Sequence, residues 1–165
     1  MHRHGDHLYG YLLRLTRSPA DAEDLLQETF LRVWRSAGSY RPGQVAATTW
    51  IHRIAHNLYI DSFRANRRRA GIAVEVDDSV ALDTDNGVEL ESALISAELL
   101  DQVERAISRL PENQRAALLL CQTQGFSNND AAVILGIGVR AVESLLARAR
   151  RTLRQAITQG DNDEL

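Results

Sequence analysis

The chain contains no lysine, so all 19 of its permanently cationic side chains are arginine. Its single cysteine, Cys121, excludes an internal disulfide. Set among Leu118, Leu119 and Leu120, that thiol is expected to be buried as a small hydrophobe. No apolar run approaches the ~20 residues of a membrane-spanning helix and no signal peptide is evident, so no membrane insertion and a cytoplasmic location are expected. Catalytic constellations are missing as well, since no nucleophile–base pair and no complete metal-ligand set stands out. His2, His4 and His7 crowd a terminus that holds ligands poorly, with no carboxylate or cysteine to complete a site. His52 and His56 have the i, i+4 spacing of a zinc-binding helix, but Arg53 stands where the glutamate of H-E-x-x-H belongs. These two are read as surface histidines. A metal or cofactor enzyme is disfavoured on these grounds.

What is present is an uneven distribution of charge. With 165 residues, 44% of them hydrophobic and 25% charged, the chain has an ordinary globular composition and room for one domain or two small ones. Residues 70–104 hold ten of the 22 acids and no arginine, which leaves 12 acids against all 19 arginines elsewhere. The formal net charge of −3 therefore hides two basic ends around an acidic middle, a pattern of separate jobs.

The stretch from Ser18 to Ala37 reads as one helix with two faces. Ser18 is placed to cap it, Pro19 suits its first turn, and Asp21, Glu23 and Asp24 complement its dipole. Leu26, Phe30, Val33 and Ala37, widened by Leu25, Thr29 and Trp34, are expected to face a core. Asp24, Gln27, Glu28, Leu31 and Arg35 form a second, mostly polar stripe, which by itself reads as a solvated face. A shorter helix is expected ahead of it, around Leu8–Leu15.

A turn cluster at 38–43 precedes a second long helix from about Thr48 to Arg68. Trp50, Ile51, Ile54, Ala55, Leu58 and Ser62 are assigned to its inner side, and Arg53, Asn57, Ile60, Asp61 and Arg64 to another. It ends in an arginine cluster, Arg64 with Arg67, Arg68 and Arg69, suited either to phosphates or to complementing the helix dipole. Periodicity then fades, and residues 70–92 read as a flexible acidic linker.

The second half opens with a helix through Leu99, Leu100, Val103, Ile107 and Leu110, broken by Pro111, with another from Glu112 to Gln122. Ser127, with Asp130 three residues on, caps a helix carrying Ala131, Ala132, Ile134 and Leu135. Gly136-Ile137-Gly138 makes a tight turn into a helix from Val139 to about Ile157, with Val142, Leu145, Leu146 and Leu153 inward. A plain helical hairpin would share this outline. The small residues, the turn glycine and Arg140, Arg148, Arg150, Arg151 and Arg154 point instead to a DNA-binding helix-turn-helix. The fold class is all-α: two small helical domains joined by an acidic flexible linker, the second containing the helix-turn-helix. The polar tail 159–165 is expected to fray.

Two strings carry a resemblance. Asp21-Ala22-Glu23-Asp24-Leu25-Leu26-Gln27-Glu28-Thr29-Phe30 followed by Val33-Trp34 closely resembles the core-binding helix of extracytoplasmic-function (ECF) sigma factors. Thr49-Trp50-Ile51-His52-Arg53-Ile54-Ala55-His56-Asn57 with Asp61 and Arg64 resembles that family's promoter-melting helix, and Arg109–Arg115 resembles the entry to its minus-thirty-five domain. The resemblance implies region 2 over 1–69, a linker over 70–92 that in the family threads the RNA channel of the polymerase, and region 4 over 93–158. It implies core-polymerase binding through Asp24, Gln27, Glu28, Leu31 and Arg35. Minus-ten DNA would fall to Trp50, Arg53, Asn57, Asp61, Arg64, Arg67 and Arg68, with a flipped-base pocket in the loop 41–49. Minus-thirty-five DNA would fall to Arg140, Glu143, Ser144, Ala147, Arg148 and Arg151. Relatives usually carry a basic residue at the position of Glu143, a larger one at Ala147, a Ser or Thr cap at Gly138, and more sequence ahead of Met1. The implied partners are core RNA polymerase, promoter DNA and an anti-sigma factor; no cofactor is called for. The competing reading is a stand-alone helix-turn-helix regulator, which has no use for the polar stripe of the first long helix.

Overall fold

The computed structural model describes residues 2–72 and 97–162, and every regular element among them is helical. In chain order these are α1 (His2–Thr16), α2 (Pro19–Ser36), a short 3₁₀ turn (Ala37–Ser39), α3 (Ala47–Arg69), α4 (Ala97–Arg109) and α5 (Glu112–Leu118). A π-helical segment (Leu119–Thr123), α6 (Asn128–Leu135) and α7 (Val139–Asn162) complete the order. Most of the expected acidic linker, residues 73–92, lies outside the described residues.

The first module is built on α1, whose Leu8, Tyr11, Leu12 and Leu15 are almost completely buried at i, i+3, i+4 and i+7. A helix of this length is marginal alone, and burying each of those leucines stabilises it by about 1.5–3 kcal/mol. The chain turns sharply after it. Arg17 adopts a left-handed conformation (φ 57) and its N–H reaches the Leu13 carbonyl at 2.8 Å. The Ser18 hydroxyl then caps α2, accepting from the Asp21 N–H at 3.3 Å, with Pro19 in the first turn as expected.

The buried stripe of α2 is Ala22, Leu25 and Thr29, with Leu26 and Val33 beside it. Phe30, Trp34 and Ala37, assigned inward from the sequence, face out, and Trp34 is 84% exposed. Trp34 follows Thr29 by five residues, a rotation of ~140° around the helix, so it stands clear of the contact that Ala22, Leu25 and Thr29 make. The inner side of α3 also departs from expectation. It buries Thr49, His52, Ala55, His56, Leu58 and Tyr59, whereas Trp50, Ile51, Ile54 and Ser62 are only partly covered.

In the second module Pro111 separates α4 from α5 as expected. The anticipated helix to Gln122 instead changes register at Leu119, and its wider turns end with the Gln124 N–H on the Leu119 carbonyl (3.0 Å). That change leaves Cys121 half-exposed, with Sγ 3.6 Å from Asn128 Oδ1, and not buried as its neighbours implied. Ser127 caps α6 through the Asp130 N–H (3.1 Å), and Gly136 (φ 68) ends it in the left-handed conformation that favours glycine. α7 buries Val142, Leu146, Ala149 and Leu153 against α4, α5 and α6. It continues through Gln159 to Asn162, beyond the expected end near Ile157.

The two modules share one core. α6 packs on α3, α5 touches α1, and the buried residues of both halves form a continuous cluster.

Candidate nucleic-acid and partner interfaces

On α2, burial of Ala22, Leu25 and Thr29 turns the second stripe outward. Asp24, Gln27, Leu31 and Arg35 are exposed, and half-buried Glu28 holds Arg32 one turn on at 3.6 Å. Phe30, Leu31 and Trp34 add apolar area to that side. The result is an exposed surface of mixed polar and apolar character.

On α3, Arg53, Asn57, Asp61, Arg64 and Arg68 recur three or four residues apart and are exposed together. Half-buried Trp50 heads this row and packs on Tyr40, ring centroids 5.0 Å apart. Tyr40 donates to the Val45 carbonyl at 3.0 Å, so this pair braces the loop 41–46; residues 47–49, expected in that loop, form the first turn of α3. Arg67 is half-buried, its guanidinium 5.4 Å from the centre of the Phe63 ring. Tyr40 and Phe63 were missed in the sequence because neither falls in the periodic row that they support.

On α7, Arg140 and Glu143 are exposed, while Ala147, Arg148 and Arg151 are half-buried. Ser144, expected at the DNA, is buried. Packing against three helices gives α7 a wider inner arc than a simple amphipathic stripe, and Ser144 falls within it.

His52 and His56, expected at the surface, are 5% and 4% exposed. His56 Nδ1 lies 3.0 Å from the Tyr11 hydroxyl. Burial holds this imidazole neutral, its pKa lowered to about 4, and raises the Tyr11 phenol well above its usual value, so the hydroxyl donates. His52 Nδ1 lies 2.8 Å from the Thr48 carbonyl and Nε2 3.3 Å from the side-chain amide of Gln124, with the Phe126 ring edge-on at 4.8 Å.

Gln124 and Phe126 belong to the second module, as does Arg115. The Arg115 Nη2 reaches the Leu15 carbonyl (3.3 Å) and the Tyr59 hydroxyl (3.5 Å), and Nη1 returns to the Ser108 carbonyl (3.2 Å). Glu112 sits beside it. Desolvation raises its carboxyl pKa, against the opposing effects of the Tyr59 hydroxyl and of Arg115, Arg67 and Arg64. Burial and the same carboxylate raise the Tyr59 phenol. An arginine placed directly before the apolar run 116–120 was the available sign of this buried charge.

Both helical modules have counterparts in known proteins. Residues 1–69 match the family model for Sigma-70 region 2, and residues 100–153 that for Sigma-70, region 4. The ECF RNA polymerase sigma factor SigM of Bacillus subtilis is 32% identical over 95% of this chain and 92% of its own length. The chain belongs to the ECF RNA polymerase sigma factors. Within this family it is also 34% identical to SigE of Mycolicibacterium smegmatis over 98% of its residues, spanning 61% of that protein's length. Its fold matches that of the sigma factor RpoE of Bartonella quintana, solved with the anti-sigma factor NepR (TM-score 0.70, 24% identity, 94% of this chain and 92% of the other). Membership in the sigma factors disfavours the stand-alone regulator.

Proposed function

We propose that this sigma factor grips core RNA polymerase through α2 and reads a promoter with α3 and α7. The single observation that supports the grip is the outward stripe of Asp24, Gln27, Glu28, Leu31 and Arg35, turned away from the Ala22–Leu25–Thr29 contact on the same helix. In this reading residues 1–69 bind core and the minus-ten element, 70–92 are the linker, and 93–158 bind the minus-thirty-five element.

The minus-ten row does two kinds of work. Trp50, braced by Tyr40, offers a stacking surface to an unpaired base, and Asn57 and Asp61 offer hydrogen bonds to its edge. Arg53, Arg64, Arg67 and Arg68 hold strand phosphates, so that opening the duplex exchanges base stacking for aromatic contact and charge neutralisation. At the minus-thirty-five element Arg140 leads the recognition helix into the major groove, and Glu143 can accept from cytosine N4. Ala147, Arg148 and Arg151 lie along the same groove wall, with Ser144 supporting from within. The chain performs no chemistry of its own, works in the cytoplasm, and is held in check by an anti-sigma partner, as the Bartonella protein is seen with one.

The test is reconstituted transcription. Purified protein added to core polymerase should give run-off transcript from a cognate promoter, with permanganate-reactive thymines at its minus-ten element; core that gains neither would refute the proposal.

A further inference from the structure

Within the second module α4 packs on α7, and a groove of about 290 Å³ remains between them. Gln102, Arg105, Ala106 and Arg109 line it from α4, at i, i+3, i+4 and i+7, and Thr152 and Ala156 line it from α7, one turn apart. We infer that this groove binds a small organic phosphate monoester carrying hydroxyl groups, of the sugar-phosphate or nucleoside-monophosphate class.

The charged part of the lining selects an anion. Arg105 and Arg109 are both exposed and stand one turn apart, a spacing at which like charges destabilise a helix unless an anion joins them. The dipole at the C-terminal end of α4 accounts for Arg109, in the last turn, but not for Arg105 a turn earlier. Arg105 pairs with the Asp101 carboxylate through one Nη, which leaves other donors of its fork for a second acceptor. Arg109 makes no ion pair among the described residues. A phosphate monoester presents three terminal oxygens, enough to engage both guanidinium groups while Asp101 keeps its bond.

The rest of the lining selects an organic body. The Thr152 hydroxyl donates to the Arg148 carbonyl at 3.1 Å, so toward a ligand its oxygen accepts, which calls for a ligand hydroxyl. The half-buried Gln102 amide supplies a donor and an acceptor. Ala106, buried, and Ala156, exposed, offer apolar contact to a carbon skeleton from the interior to the surface. The volume lies near the lower bound of about 300 Å³ for small-molecule sites. An inorganic anion would use the arginines and leave these other groups idle. Occupancy joins α4 to α7 at the end of α7 away from Arg140 and Glu143. The site itself does not depend on the promoter reading above; only an effect on promoter choice would.

Calorimetric and NMR titration of the full chain tests this. The probes are adenosine 5′-monophosphate and ribose 5-phosphate, with inorganic phosphate, dimethyl phosphate and ribose as comparators. At least one of the two monoesters should bind saturably and at least tenfold tighter than every comparator, with amide shifts concentrated in α4 and α7. Arg109→Gln removes a charge, and Ala156→Leu fills space with the charge unchanged. Each should weaken that binding at least tenfold while keeping the far-UV circular dichroism of the wild type. Monoesters that bind no tighter than inorganic phosphate would overturn the proposal, because the arginines would then be acting as a general basic surface. Undiminished affinity in either variant, or shifts centred on α3, would overturn it as well. Transcription by the wild type without added ligand reads the promoter role alone, so failure of either reading is separable.

Discussion

The buried Tyr11–His56 pair makes stability depend on pH in a way that one substitution should remove. His56 is held neutral with a pKa of about 4 in the fold, against about 6.5 when unfolded. The folded state therefore binds fewer protons than the unfolded state between these values. The sign follows: this contribution is fully present above pH 6.5 and is lost as pH falls toward 4, by about 3 kcal/mol in total. At pH 5 the loss is about 2 kcal/mol, which moves a urea midpoint by roughly 1 M for a domain of this size. The perturbation is His56→Gln, which keeps an acceptor for the Tyr11 hydroxyl and removes the titration. Urea denaturation of both proteins at pH 7, 6 and 5, followed by circular dichroism, gives the difference in stability at each pH. The variant should be less stable at pH 7, and the gap should narrow by about 2 kcal/mol at pH 5. Glu112 contributes with the opposite sign, since its raised pKa favours the fold as pH drops, but it is common to both proteins and cancels in the difference. Parallel pH profiles would refute the buried, neutral state of His56.

The Ser127 cap is worth about 1 kcal/mol, so Ser127→Ala should lower thermal stability by that amount while Ser127→Asp restores most of it, read by calorimetry. In holoenzyme, Arg140→Ala should cost about 1–3 kcal/mol at one minus-thirty-five base pair and little on promoters already mismatched there. A uniform loss across sequences, with the salt slope reduced by about 1, would move Arg140 from base reading to phosphate contact.

Local signals were legible wherever one stretch of chain decides its own structure. Ser18 and Ser127 announced their caps and Gly136 its tight turn, and the row Arg53, Asn57, Asp61 and Arg64 followed from helical spacing, although Ile60, read with it, is half-buried. Readings failed where a distant part of the chain decides burial. His52 and His56 look like surface histidines until Tyr11, Gln124 and Phe126 arrive from 45, 72 and more residues away. Ser144 looked available until α7 was packed on three sides, and Phe30 and Trp34 looked internal because apolar residues were assumed to seek the nearest core. Trp34 stands on the same helix as the proposed polymerase grip, so its exposure is the kind of departure that a binding surface produces. Arg115, a charge at the head of an apolar run, could have been flagged in the sequence, but its partners Leu15 and Tyr59 could not.

The grip on polymerase through α2 is the central claim, and charge reversal on its exposed stripe tests it most directly. Asp24→Arg and Glu28→Arg leave the buried residues of α2 untouched and forfeit only a helix-dipole interaction and the Glu28–Arg32 pair, so thermal unfolding should stay within about 1 kcal/mol of wild type. Binding of fluorescently labelled protein to purified core polymerase, titrated at fixed salt, should weaken at least a hundredfold in either variant. Wild-type affinity in both, with transcription intact, would contradict the account.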